Sequence, residues 1–122
     1  MTSAEAKTRT QALSATDWHV LMALLEDDLH GYAIMKAVAR DSGGAVSAEI
    51  RSLYRILSRM MTEGWVDEAP APQSAPTETR GRPRRYYRLT DDGCTALRRE
   101  SVRLRDTLEL ARERLLLPEA SK

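Results

Sequence analysis

Apolar residues along this chain fall into three helical stripes, two strand-like runs and one long seam. Leu13, Trp18, Leu21, Leu24 and Leu25 share the first stripe and predict a helix over about 15–26. Ser14 precedes it as an N-cap with Asp17 three residues on, and Leu13 and Trp18 flank the cap as a hydrophobic staple. Tyr32, Ile34, Met35, Val38 and Ala39 recur at helical spacing and predict a second helix over Gly31–Asp41, stopped by Gly43 and Gly44. Ser47 is the expected cap of a third, whose stripe is Ile50, Leu53, Leu57, Met60 and Met61, with Gly64 at its C-terminal end.

The pattern changes after Gly64. Trp65–Ala69 suits a strand, and the following stretch to Pro83 holds four of the chain's 5 prolines, which excludes a helix or an inner strand there. Strand character returns at Arg84–Leu89, with Tyr87 and Leu89 on one face and Tyr86 and Arg88 on the other. Thr90 then caps a long helix with Asp91 and Asp92 in its first turn, ended by Pro118. Within it Cys94, Leu97, Ser101, Leu104, Leu108, Ala111 and Leu115 alternate spacings of three and four, a heptad seam that calls for a partner helix. Three helices, a hairpin with a basic tip and a long helix give a mainly α fold: a winged helix-turn-helix plus a C-terminal helix. The expected organisation is a flexible tail over 1–12, a winged helix-turn-helix domain over 13–90 with its wing at about 65–90, a dimerisation helix over 91–117 and a short tail over 118–122.

Length and composition narrow the class. The chain has 122 residues, one domain by size, and with 5% aromatics and no Phe its core is built from Leu, Met, Val, Ile and Ala. Its longest apolar run, Val20–Leu25, cannot cross a bilayer, and the polar first dozen residues lack the apolar segment of a signal peptide. Cys94 is the single cysteine, which excludes an internal disulfide, so a cytoplasmic protein is expected. His19 and His30 have no metal-ligand cluster around them, and no phosphate-binding loop or nucleophile elbow is present, so neither catalysis nor a cofactor is expected.

Charge adds the chemistry. Net charge is only +1, yet residues 80–90, RGRPRRYYRLT, gather five arginines. Arg80, Arg82, Arg84 and Arg85 in a Pro/Gly-rich tip suit bidentate contact with phosphate oxygens. The helix after Ser47 is the one that would lie in a major groove, offering Arg51, Ser52, Tyr54 and Arg55 to base edges and phosphates. His30, Gly31 and Tyr32 open the preceding helix, whose N–H groups suit a phosphate, and Lys36 adds a second such contact. Against this stands Glu49, which repels a phosphate backbone unless it accepts from a cytosine amino group. A different function fits the same charge, a dimeric interaction module whose Arg-rich loop binds RNA or an acidic protein. The expected dimer seam is Leu97, Ser101, Leu104, Leu108, Ala111 and Leu115. Trp18 is a candidate face for a flat apolar ligand as well as a staple residue, and Cys94 either a redox-sensitive thiol or a small buried hydrophobe.

Three segments in order, LHGYAIMKAV, SLYRILSRMMTEGWV and GRPRRYYRLTDDG, resemble the PadR family of winged-helix transcriptional regulators, a resemblance running from about Leu13 to Leu117. It implies a homodimeric repressor on a pseudo-palindromic DNA operator, paired through the long C-terminal helix and released by a small hydrophobic or aromatic ligand. It implies a compact subfamily, since a single helix follows the wing. Carried onto this chain, DNA contact falls to Tyr32, Ser52, Tyr54, their neighbours and the wing arginines. Arg51 and Ser52 stand where many members have Gly-Thr, which implies an unusual operator, and Trp65 replaces the usual small aliphatic residue after Gly64.

Overall fold

A computed structural model describes residues 12–72 and 84–115. Its order is α1 (Ala15–Ala23), β1 (Leu29–His30), α2 (Gly31–Asp41), α3 (Ile50–Glu63), β2 (Val66–Ala69), β3 (Tyr86–Leu89) and α4 (Asp91–Leu115). Four helices and a small antiparallel sheet make the expected mainly helical winged architecture.

Each helix end has a local cause. Ser14 Oγ accepts the Asp17 amide at 3.0 Å, so the cap forms as its sequence predicts. The Asp17 carboxylate does not return to the cap but turns to Arg59 of α3. α1 stops at Ala23 rather than Glu26, because Leu24 and Leu25 continue the apolar stripe while their amides close a tighter turn on Leu21 and Met22. α2 spans the predicted residues, and Gly43 and Gly44 after it adopt positive φ.

Ser47 does not cap α3. The Ser42 hydroxyl accepts the Val46 amide at 2.9 Å, which holds the turn closed and leaves residues 47–49 outside the helix. The helix starts at Ile50 with Glu49 as N-cap and no side-chain cap bond. Its other end follows expectation, with Gly64 at φ 83° returning its amide to the last turn.

The sheet has order β1-β3-β2, both pairings antiparallel, with Val66 opposite Leu89 and Glu68 opposite Tyr87. β1 has no signal in the sequence, and it makes β3 the middle strand. Tyr86 and Tyr87, on opposite faces of that middle strand, are therefore both buried. Tyr87 joins the core, while the Tyr86 ring meets His30 edge-on with centroids 5.4 Å apart.

That core is Val20, Leu21, Leu24, Ile34, Val38, Leu53, Leu57, Met60, Val66, Tyr87 and Leu97, so every helix and two strands contribute to it. Trp65 packs against it. Thr90 is the junction of the fold. Its hydroxyl donates to the Gly64 carbonyl at 2.6 Å and accepts the Gly93 amide at 3.0 Å, capping α4 while gripping the end of α3. A Cβ at Gly93 would run into the Trp65 carbonyl, so the two segments meet with no room for a side chain. Among the described residues no helix is long and apolar enough to cross a membrane.

Candidate nucleic-acid interface

α3 buries Leu53, Leu57 and Met60 and turns Arg51, Tyr54, Arg55, Ser58 and Thr62 outward. Spacings of three and four place these outward residues in one stripe, with Arg51 and Arg55 one turn apart. Ser52 sits half-buried on the flank of that stripe, in the row of Ile56 and Arg59. Ser47 is exposed in the segment before the helix and not on it.

The orientation of α3 is pinned from behind. Arg59 Nη2 donates to Asp17 Oδ1 at 2.7 Å, and Asp17 is only 8% exposed. A buried carboxylate stripped of its cation is costly, so this bridge holds α3 against α1. No local pattern announces it, because the partners lie 42 residues apart.

Tyr54 is positioned by a glycine. A Cβ at Gly31 would stand 3.0 Å from Tyr54 Oη and 3.1 Å from Cε1, so the phenol packs closely against the first residue of α2. The ring nevertheless stays 45% exposed, and Tyr32 beside it is 54% exposed. Lys36, four residues after Tyr32, is exposed on the same side of α2. His30 is the N-cap of this helix, its Nδ1 accepting the Ala33 amide at 3.3 Å. One of the N–H groups expected to be free for a phosphate is therefore already taken.

The foot of the wing completes the surface. Arg84 and Arg85 are exposed, with Arg84 Nη1 3.3 Å from His30 Nε2. Arg85 donates to Glu68 Oε1 at 3.0 Å across the strands, and its guanidinium lies 5.8 Å from the Tyr87 ring centroid. The Glu68 hydrogen bond holds Arg85 more firmly protonated than usual, and burial pushes the Tyr87 phenol up. A groove of about 430 Å³ separates α3 from the wing, lined by Tyr54, Ser58, Met61, Thr62, Arg85 and Tyr87. Arg80 and Arg82 lie outside the described residues. Nothing in the sequence marks Glu68 as the restraint on Arg85, or Asp17, legible only as a cap residue, as the partner of Arg59.

On the far side of the molecule α4 runs over α1. Leu97 is buried in the core, and Ser101 accepts the Trp18 indole N–H at 3.0 Å. Trp18 is thus tied to α4 and half-buried. Glu100, 6% exposed, accepts from Arg103 Nε at 3.0 Å. That bond, helped by the Leu13 amide, holds its carboxyl below the usual carboxylate range. Beyond Ser101 the seam leaves the domain: Leu104, Leu108 and Leu115 are exposed and Ala111 half-buried. Cys94 is half-buried with Arg98 Nη2 3.7 Å from its sulfur.

A helix-turn-helix pair with a paired-strand wing and a cationic outer face defines a winged-helix regulator. The sequence pattern of the Transcriptional regulator PadR-like family matches residues 20–99, more than half of the chain, and the chain belongs to that family. It is a family of transcriptional regulators and not of enzymes. Solved structures agree on the fold. A PadR family regulator from Clostridium difficile R20291 is similar at 20% identity and a TM-score of 0.66, over 84% of this chain and 99% of that one. A transcriptional regulator from Clostridium thermocellum is similar at 18% identity and a TM-score of 0.65, over 93% of this chain and 96% of that one. Bacillus subtilis PadR, solved in complex with operator DNA, matches at 22% identity and a TM-score of 0.55, over 89% of this chain and 53% of that one. No curated protein matches the sequence.

Proposed function

We propose that this chain is a homodimeric repressor that binds a pseudo-palindromic DNA operator. The observation that carries the proposal is the contiguous cationic face made by the outer stripe of α3, the exposed Tyr32 and Lys36 of α2 and Arg84 and Arg85 at the foot of the wing. In this reading α3 enters the major groove, Arg51 and Arg55 read base edges, and Ser52 and Tyr54 join Tyr32, Lys36 and the wing arginines on the flanking phosphates. Ser47 approaches the backbone from the entry to α3. Bacillus subtilis PadR with its operator supports DNA as the partner.

Pairing of two copies through Leu104, Leu108, Ala111 and Leu115 would cover an apolar row that a monomer leaves in water, and would set two α3 helices about one turn of DNA, roughly 34–36 Å, apart. Leu97 and Ser101 belong to the same seam but serve mainly the chain's own domain. An aromatic or hydrophobic effector would act by displacing Trp18 from Ser101 at the contact of α1 with α4.

The test is binding to a duplex from the promoter of the protein's own gene and to a scrambled duplex across a salt series. A preference for the promoter that falls steeply with salt is expected, and it should vanish in R51A/S52A while the salt dependence remains. Equal, salt-sensitive binding of the wild type to both duplexes would leave only backbone contact by a basic wing with the operator elsewhere, and no binding to either at moderate salt would favour an Arg-rich module for RNA or an acidic protein.

A further inference from the structure

His30 lies between two hydrogen-bond donors. Its Nδ1 faces the Ala33 amide and its Nε2 faces the Arg84 guanidinium, each at 3.3 Å. A neutral imidazole has one acceptor nitrogen, and an arginine side chain can only donate. The ring can therefore satisfy the helix or the wing, but not both.

The choice is decided by what each donor has instead. The Ala33 amide sits in the first turn of α2, where no backbone acceptor exists for it, and the bond to His30 is half-buried. Arg84 is exposed and can turn its five N–H groups to water. Nδ1 is thus the acceptor and the proton resides on Nε2, which directs an N–H at an arginine that cannot receive it. Burial, then the positive charges of Arg84 and Lys36, push the imidazole below its ordinary value, so the ring is neutral and the conflict persists at neutral pH.

Two donors that face each other 3.3 Å apart with no acceptor between them are a mismatch that an oxyanion seated beside both would relieve. We infer that His30 Nε2–H and the Arg84 guanidinium together bind one backbone phosphate oxygen of DNA, a contact that resolves the mismatch present in the free protein. The inference rests on the DNA-binding reading above and adds to it a neutral residue, which a search for arginines and lysines passes over. The phosphate accepts from both donors while His30 keeps its cap on Ala33. Tyr86, packed edge-on against the imidazole, keeps the ring from turning away. Because the ligand oxygen belongs to the backbone, the contact serves every sequence alike and adds affinity without preference.

His30→Asn separates the two duties of the ring, since asparagine caps a helix but presents no group at the Nε2 position. With the promoter duplex and its scrambled counterpart as probes, H30N should keep the wild-type melting temperature and bind both duplexes about tenfold more weakly. R84Q should do the same, and the double variant should lose little more than R84Q alone, because the two donors share one phosphate. Wild-type binding to the promoter duplex with H30N unchanged, or losses that multiply in the double variant, would overturn the shared site and leave the operator reading intact. Wild-type protein that binds no duplex would remove both. The tautomer gives a second measure that does not depend on the variants: imidazole nitrogen NMR of the free protein should find the proton on Nε2, and a proton on Nδ1 would refute the mismatch.

Discussion

Along α4, residues 91–101 and residues 102–115 continue one spacing of apolar positions, yet they meet opposite surroundings. In the first stretch Gly93, Leu97 and Glu100 are buried, and Ser101 holds the Trp18 indole. In the second, Val102, Leu104, Leu108, Leu110 and Leu115 are all exposed, Leu108 by 48%. One seam therefore carries two tasks in succession, closing the domain and then, in the proposed dimer, holding a partner. Periodicity alone cannot separate them, because a leucine facing its own core and a leucine facing a second chain have the same spacing. In the proposed dimer, their separation in space would make stability and association independently adjustable.

The sharpest way to break the comparison is to charge the second stretch. L104E/L108E should raise the dimer dissociation constant on the order of a thousandfold or more, since pairing would bury uncompensated carboxylates. Its circular dichroism should remain that of a folded helical protein, and sedimentation equilibrium should find monomers. Dimers that persist would place the interface elsewhere. The counterpart in the first stretch is L97A, which opens a cavity in the core and should destabilise the fold by about 2–5 kcal/mol in urea denaturation. A loss confined to dimerisation would contradict the division.

Smaller effects sharpen it further. S101A removes the acceptor of the Trp18 indole and should cost about 1 kcal/mol of stability, with a change in Trp fluorescence. Unchanged stability would mean that packing alone seats the indole. Glu100 supplies a pH dependence. Its folded pKa lies below the ordinary 4.5, so the unfolded chain takes up the proton first as pH falls. The stability it contributes is fully present above that ordinary value and is lost as pH drops through the lowered one. E100Q should flatten the acid limb of a stability profile measured from pH 6 down to pH 3, and an unaltered limb would assign the acid sensitivity to other carboxylates.

How far the sequence revealed this molecule depended on whether the cause was local. α2 was legible to the residue because two glycines end it, and Thr90 was legible as a cap because the hydroxyl and the amide it accepts are three residues apart. Ser47 misled because Ser42, a better-placed hydroxyl, had already closed the turn on Val46. β1 is two residues long, too short for any alternation, and its pairing with β3 is what buries Tyr86. The arginines of the candidate site stood out as a run. Their restraints did not, because Glu68 reaches Arg85 only through the register of β2 with β3, and Asp17 reaches Arg59 only through the packing of α1 on α3. His30 was visible as the start of a helix. The mismatch at its second nitrogen needed the wing to be folded against it.

The junction at Thr90 bears on how such a protein would meet operators of different spacing. A single hydroxyl bolts the end of α3 to the start of α4, and the Trp65 carbonyl fills the space where a side chain at Gly93 would go. That joint has no elbow. In the proposed dimer the reading head and the coupling rod would move as one bracket, so a half-site displaced by one base pair would not be reached by bending within a protomer. Any accommodation would then fall on the angle at which two rods cross, or on the twist of the duplex itself.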